Sequence, residues 1–93
     1  MNFEWDENKA RINQEKHGVS FDEAKTVFDD AVALQKFDPD HSESEDRFIM
    51  LGMSAVLRIL VVCHCYRADD ETIRIISARK ATRNECSTYE RRK

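Results

Sequence analysis

"LRILVVCHCYRADDETIRIISARKATRNE", residues 57–85, is the stretch that decides the fold. Over residues 57–67 both alternating sets of side chains are apolar: Leu57, Ile59, Val61 and Cys63 on one side, Leu60 and Val62 on the other. A strand of that kind is buried on both faces and needs two covers. "ADDE" at 68–71 reads as a hairpin turn, and "TIRIISA" at 72–78 returns as a second strand. Charge then turns basic at Arg79 and Lys80. Thr82, with Glu85 three residues on, forms a capping box that starts a last helix.

Outward from this stretch, "RFIMLG" (47–52) predicts a strand joined to residue 57 by a short connection, and "AVALQKF" (31–37) predicts another before it. Between those two lies "DPDHSESED" (38–46), a polar loop holding the chain's one proline and the segment expected to be most mobile. Two helices are predicted at the N-terminal end. Asp6 suits the N-cap of the first, Trp5 and Ala10 a hydrophobic staple, and Gly18 the left-handed position beyond Lys16 and His17. The second opens on a capping box, Ser20 with Glu23. Phe21, Ala24, Val27 and Phe28 give it one apolar face. The expected order is ααββββα, a single α+β domain over 1–93 with four strands as an antiparallel meander. The N-terminal helices cover one face; the last helix, or a partner protein, covers the other.

At 93 residues and 41% hydrophobic, the chain has a composition that argues for a folded protein with a thin core. No apolar run reaches the roughly 20 residues of a membrane span, and "MNFEWDENK" carries no signal-peptide pattern. Three cysteines do not make a disulfide framework. A reducing, cytoplasmic setting with no membrane partner is therefore expected. The net charge of −3 hides a gradient. Residues 1–50 hold 6 basic and 13 acidic side chains, a balance of −7, whereas residues 74–93 hold 7 and 2, a balance of +5. Such asymmetry points either to an anionic partner at the C-terminal end or to a solvated, arginine-rich helix.

"CHC" at 63–65 invites a zinc reading, but alternation in a strand puts Cys63 and Cys65 on one face and His64 on the other. No metal site and no cofactor are expected. The chain has no nucleophile elbow, phosphate-binding glycine loop or HExxH helix. What remains is a basic set: Arg79 and Lys80 at the strand end, and Arg83, Arg91, Arg92 and Lys93 along the last helix. The free N–H groups and positive dipole at that helix start would favour a phosphate beside them. If Arg67 pairs with Thr72 across the turn, Arg79 lies opposite about Leu60. Arg58 then falls near Arg79 and Lys80, and Arg67 lies roughly 23 Å away along the strand. For Arg74 and Arg91 a surface ion pair is the preferred reading.

With "WDENKARINQEKHGVSFDEA" leading, "EDRFIMLG" and "LVVCHCYR" between, and "IRIISARKATRNECSTYE" closing, the chain resembles the BrnT family of type II toxins over nearly its whole length. The resemblance implies a RelE-like fold and a ribonuclease toxin. It also implies a cognate antitoxin with a ribbon-helix-helix domain, which would bind operator DNA, so that DNA is met only indirectly. The family pattern carries over to Lys9, Lys16, His17, Arg47, Arg67, Arg79, Lys80, Glu85 and Tyr89. Metal-independent RNA cleavage needs a 2′-OH activated, the phosphorane charge neutralised and the leaving oxygen protonated. Arg79, with Arg67 or Arg58, is the candidate for charge neutralisation, and His17 or a lysine for proton transfer. Lys9, Lys16, Arg47, Lys80 and Arg83 are candidate RNA contacts, with Tyr89 either stacking on a base or packing on the sheet. The competing expectation is a non-catalytic binding module that acts only in a regulatory complex with the antitoxin.

Overall fold

The computed structural model describes residues 1–42 and 44–92. Strand β1 is Asn2–Glu4; helix α1 is Glu7–His17; and helix α2, Phe21–Lys25, tightens into a 3₁₀ turn over Thr26–Asp29. Strand β2, Leu34–Phe37, is followed by a 3₁₀ turn at Pro39–His41 and by β3, Arg47–Met53. Strands β4, Ile59–Tyr66, and β5, Thr72–Lys80, lead into helix α3, Arg83–Arg92. The class is α+β, with a five-stranded mixed sheet in the order β1-β5-β4-β3-β2.

Two details correct the expected ααββββα order. A fifth strand, β1, pairs in parallel with β5, Asn2 opposite Thr72 and Glu4 opposite Arg74. Three residues are too few to show an alternation, and the parallel partner lies at the other end of the sequence. The second helix is shorter than its apolar spacing suggested. Its Thr26 hydroxyl donates to the Glu23 carbonyl at 2.6 Å and accepts from Ala55 N, which favours the tighter turn.

Local signals account for most helix ends. Asp6 accepts from Asn8 N and Lys9 N, and Gly18 takes φ 69° as the left-handed cap of α1. Ser20 accepts from Glu23 N, but the Glu23 carboxylate turns away to Arg58, so this capping box is half made. At α3 the box is complete: Glu85 N donates to Thr82 Oγ1 at 3.2 Å and Thr82 N donates to Glu85 Oε1 at 2.8 Å.

The sheet is covered on two sides, as its central strand requires. On one face Leu60, Val62, Ile75 and Ala78 pack against Val19, Phe21, Ala24 and Val27 of the N-terminal helices. On the opposite face Tyr89 of α3 packs against Leu51 and Val61, with Leu34, Ile49, Met53 and Ile59 around them. The helix α3 covers only part of that second face.

Register places the site. Arg67 N donates to Thr72 O at 2.9 Å, as the turn predicts. Then β5 gains one residue: Cys63 lies opposite Ser77 but His64 opposite Ile75, which leaves Ile76 as a bulge. Beyond it Arg79 is opposite Val61 and Lys80 is opposite Leu60. Arg79 therefore shares the α3 face, whereas an unbroken register would have turned it toward the N-terminal helices. Past β1, the free side of β5 is met by a side chain. Asn13 of α1, 6% exposed, donates to Ala78 O at 2.9 Å and to Val19 O at 3.0 Å, and accepts from Ala78 N at 3.1 Å.

Candidate functional site

The part of the second sheet face that α3 leaves open is a groove of about 330 Å³. Its floor comes from Ile49, Val61, Cys63 and Ser77; Arg47 and Arg79 lie along it, and His17, Asp38 and His41 rise at its margins. A shallower hollow continues from it over α1, where Lys9 and Lys16 stand beside His17, Ile76 and Ser77. The strands fix the floor, and each margin is fixed by a local device. His17 closes α1 just before the Gly18 cap. His41 ends the turn begun by Pro39, and its Nδ1 lies 2.9 Å from Asp38 Oδ2. That turn is tied to β3, because Ser42 Oγ donates to Asp38 O at 2.6 Å and accepts from Arg47 N at 2.9 Å.

Arg79 is held by a two-pronged pair with Glu85, Nη1 to Oε1 at 2.8 Å and Nη2 to Oε2 at 2.9 Å. It also donates from Nη1 to Lys80 O at 3.3 Å, so three of its five N–H groups are engaged. The pair raises the Arg79 pKa, and with the Thr82 N–H it pulls the Glu85 carboxyl down to about 2. Burial raises the Cys63 thiol, with the Arg47 charge opposing, so Cys63 is a neutral wall rather than a nucleophile. Among the described residues the buried Nε of Arg47 has no hydrogen-bond partner, and Glu45 Oε1 lies 3.9 Å from it.

The structure brings His17, Arg47 and Arg79 to one groove and Lys9 and Lys16 to its edge, but it does not bring the expected arginine cluster together. Arg58 lies across the sheet from Arg79. It pairs with Glu23 through Nε at 2.9 Å and through Nη2, and it donates to Gly18 O at 3.1 Å. That pairing lowers the Glu23 pKa, with Ser54 Oγ adding a bond at 2.7 Å. Lys80 shares the Arg58 side, close enough to lower Glu23 further. The Ile76 bulge causes both departures, since it shifts the register that had put Arg58 beside Arg79. Arg67 lies beyond Cys65, six residues past the Arg79 partner and so about 20 Å off along the strand. It pairs there with Glu4 at 3.5 Å, beside Arg74 at 2.9 Å from the same carboxylate.

Tyr89 presents no ring for a base to stack on. It is 2% exposed, donates to Asp30 Oδ2 at 2.7 Å and is pushed up to about 12 by that bond and by burial. Arg83 is exposed at the start of α3, and Lys93 lies outside the described residues. Cys63 and Cys65 face the groove side while His64 is wholly buried on the other, as alternation requires. Among the described residues no group of three His, Cys, Asp or Glu side chains could hold a metal ion. Sequence reasoning passed over the Asp38–His41 pair, which lay in a loop read as mobile. The available signal was the i, i+3 spacing around Pro39, which one 3₁₀ turn brings to a single side.

Comparison with known proteins bears on what such a groove does. The model of "Ribonuclease toxin, BrnT, of type II toxin-antitoxin system" matches residues 5–85. The 1.1 Å crystal structure of the Brucella abortus ribonuclease toxin BrnT superposes with a TM-score of 0.65 at 27% identity. That match covers 89% of this chain and 99% of that one. No curated protein is similar enough in sequence to match. Among the described residues no helix is long and apolar enough to cross a membrane. The chain therefore belongs to the BrnT family, the ribonuclease toxins of type II toxin–antitoxin systems.

Proposed function

We propose that this chain is the toxin of a type II pair: an endoribonuclease that cuts RNA without a metal ion and arrests growth by blocking translation. The observation that carries the reading is the groove itself. It gathers His17, Arg47 and Arg79 on one face of the sheet, with Lys9 and Lys16 on the adjoining shelf. A phosphodiester laid along it meets two guanidinium groups suited to the charge that builds on a phosphorane. His17 or one of the lysines moves the proton. Arg67 contacts RNA only where the strand extends toward the far end of the sheet. Arg58 and Lys80, on the other face, stand outside this site.

The partner is a ribbon-helix-helix antitoxin that silences the toxin in the cytoplasm and carries the pair to operator DNA. Membership of a type II family implies an antitoxin. The half-covered sheet face, with Leu34, Ile49, Leu51 and Val61 beside α3, supplies an apolar surface for it. One observation favours the alternative of a non-catalytic module within a regulatory complex: Glu85 already neutralises Arg79.

Expression of the chain alone separates the two. On the toxin reading it arrests growth and cuts RNA, whereas Arg79→Ala loses both by about 10²–10³-fold and still binds antitoxin. Because Arg79→Ala also releases Glu85, its melting temperature is measured alongside. A folded Arg79→Ala protein that stays equally toxic removes Arg79 from the site. A parent chain that neither arrests growth nor cuts RNA removes the enzyme.

A further inference from the structure

The Asp38–His41 pair stands at the groove margin with its geometry already set. Asp38 is the more buried partner, its side chain 12% exposed against 66% for His41. A carboxylate facing Nδ1 holds the hydrogen there and leaves Nε2 as the proton acceptor. The pair does not float on its loop. Ser42 bonds the Asp38 carbonyl and the Arg47 amide together, so the imidazole and the Arg47 side chain are referenced to one strand. A second imidazole, His17, lines the same groove from the end of α1. Two imidazoles at the margins of a groove that holds two arginines suit a reaction in which one proton is removed and another supplied.

We propose that His41, oriented by Asp38, is the general base of RNA cleavage and that His17 is the general acid. The inference rests on the ribonuclease reading above and deepens it. In the step, the 2′-O–H proton passes to His41 Nε2 and the 2′ oxygen bonds to phosphorus. The bond from phosphorus to the 5′ oxygen breaks, and its electron pair stays on that oxygen, which takes a proton from protonated His17. Arg47 and Arg79 neutralise the phosphorane between these transfers. The products are a 2′,3′-cyclic phosphate and a 5′-OH end. Nothing is oxidised or reduced, and solvent returns both imidazoles to their starting states. Asp38 is a positioning residue, since it acts through His41.

The test uses the full chain and a labelled single-stranded RNA that the parent cuts. The RNA is made in two forms, with oxygen or with sulfur as the 5′ leaving atom at the mapped cut position. Sulfur leaves without a proton, so it bypasses the need for an acid and leaves the need for a base. His41→Ala should slow both forms by about 10²–10⁴-fold, whereas His17→Ala should slow only the oxygen form. Asp38→Asn should lower the rate on both forms with RNA affinity unchanged. His41→Asn and a thermal melt of each variant separate chemistry from folding. Folded His41 variants that cut the oxygen form at the parent's rate overturn the assignment, as does a His41→Ala defect cured by sulfur. If the parent cuts no RNA at all, the ribonuclease reading fails, and this assignment fails with it.

Discussion

His64 is wholly buried, yet both of its ring nitrogens face oxygens: Nε2 lies 2.9 Å from Gln35 Oε1 and Nδ1 lies 3.2 Å from Val62 O. The rings of Phe28, Phe48 and Tyr66 surround it, with centroids 4.8 to 6.1 Å away. Burial disfavours the imidazolium more than the Val62 carbonyl favours it, so the pKa falls below its ordinary 6.5. The unfolded chain binds that proton more readily than the folded one. The stability His64 contributes is therefore complete above about pH 6.5 and lost as pH falls toward the folded value. The urea midpoint should drop between pH 7 and pH 5.5, and His64→Phe should flatten that part of the profile. An unchanged slope in His64→Phe would assign the loss to other groups. Sequence alternation placed His64 on the opposite face from its neighbouring cysteines and on the same face as Tyr66, but nothing local announced Phe28 and Phe48. Those two come from the 3₁₀ turn and from β3 and meet His64 only in the folded sheet.

At the scale of elements, Glu85 serves two masters, the start of α3 and the guanidinium of β5. Breaking it loosens the handover between strand and helix. Glu85→Gln keeps the cap's shape and loses the charge, so it should cost about 1–2 kcal/mol at neutral pH, read from the urea midpoint. In the parent that contribution is present above about pH 4.5, the ordinary value, and is lost as pH falls toward 2. The acid limb of the stability profile should therefore shrink in Glu85→Gln. The capping box was legible because both partners lie within one turn of sequence. So were the α1 caps, the β4–β5 turn and the central strand buried on both faces. The strand β1 was not, because its partner is remote, and neither was Asn13, a polar residue on a mostly polar helix whose use is to satisfy a distant strand. The half-made box at Ser20 shows the limit of the local signal: Glu23 fits the motif, but Arg58 offers it a stronger, charged partner.

Across the whole molecule, Asp30 joins the layers. Its carboxylate accepts from Val32 N, from Met53 N on β3 and from the Tyr89 hydroxyl on α3. Gly52 lets the 3₁₀ turn come close to β3, since a Cβ there would stand 2.8 Å from Val27 Cγ1 and 2.9 Å from Ala33 Cβ. The two faces of the sheet thus carry separate duties. One is a sealed core against the N-terminal helices; the other is shared between α3 and the groove. What assigns Arg79 to the groove is a matter of parity. Because Ile76 is held out of the pairing, the paired positions between the hairpin turn and Arg79 come out on the groove side. Every position after it, through Ala81 into α3, inherits that choice. Replacing Ile76 by Val alters chemistry and leaves the count alone, and should cost less than about 1.5 kcal/mol. Deleting it removes the bulge and keeps Arg79 opposite Val61. One alanine added between Ser77 and Ala78 would instead press Arg79 into the core and turn Ala78 to the groove side, at a cost of several kcal/mol. The insertion protein should show no cooperative melt by circular dichroism; a parent-like melt would mean that the sheet can reset its count elsewhere. The sidedness of this protein is thus written in the length of one strand, and a site of this kind can be lost without changing any residue that forms it.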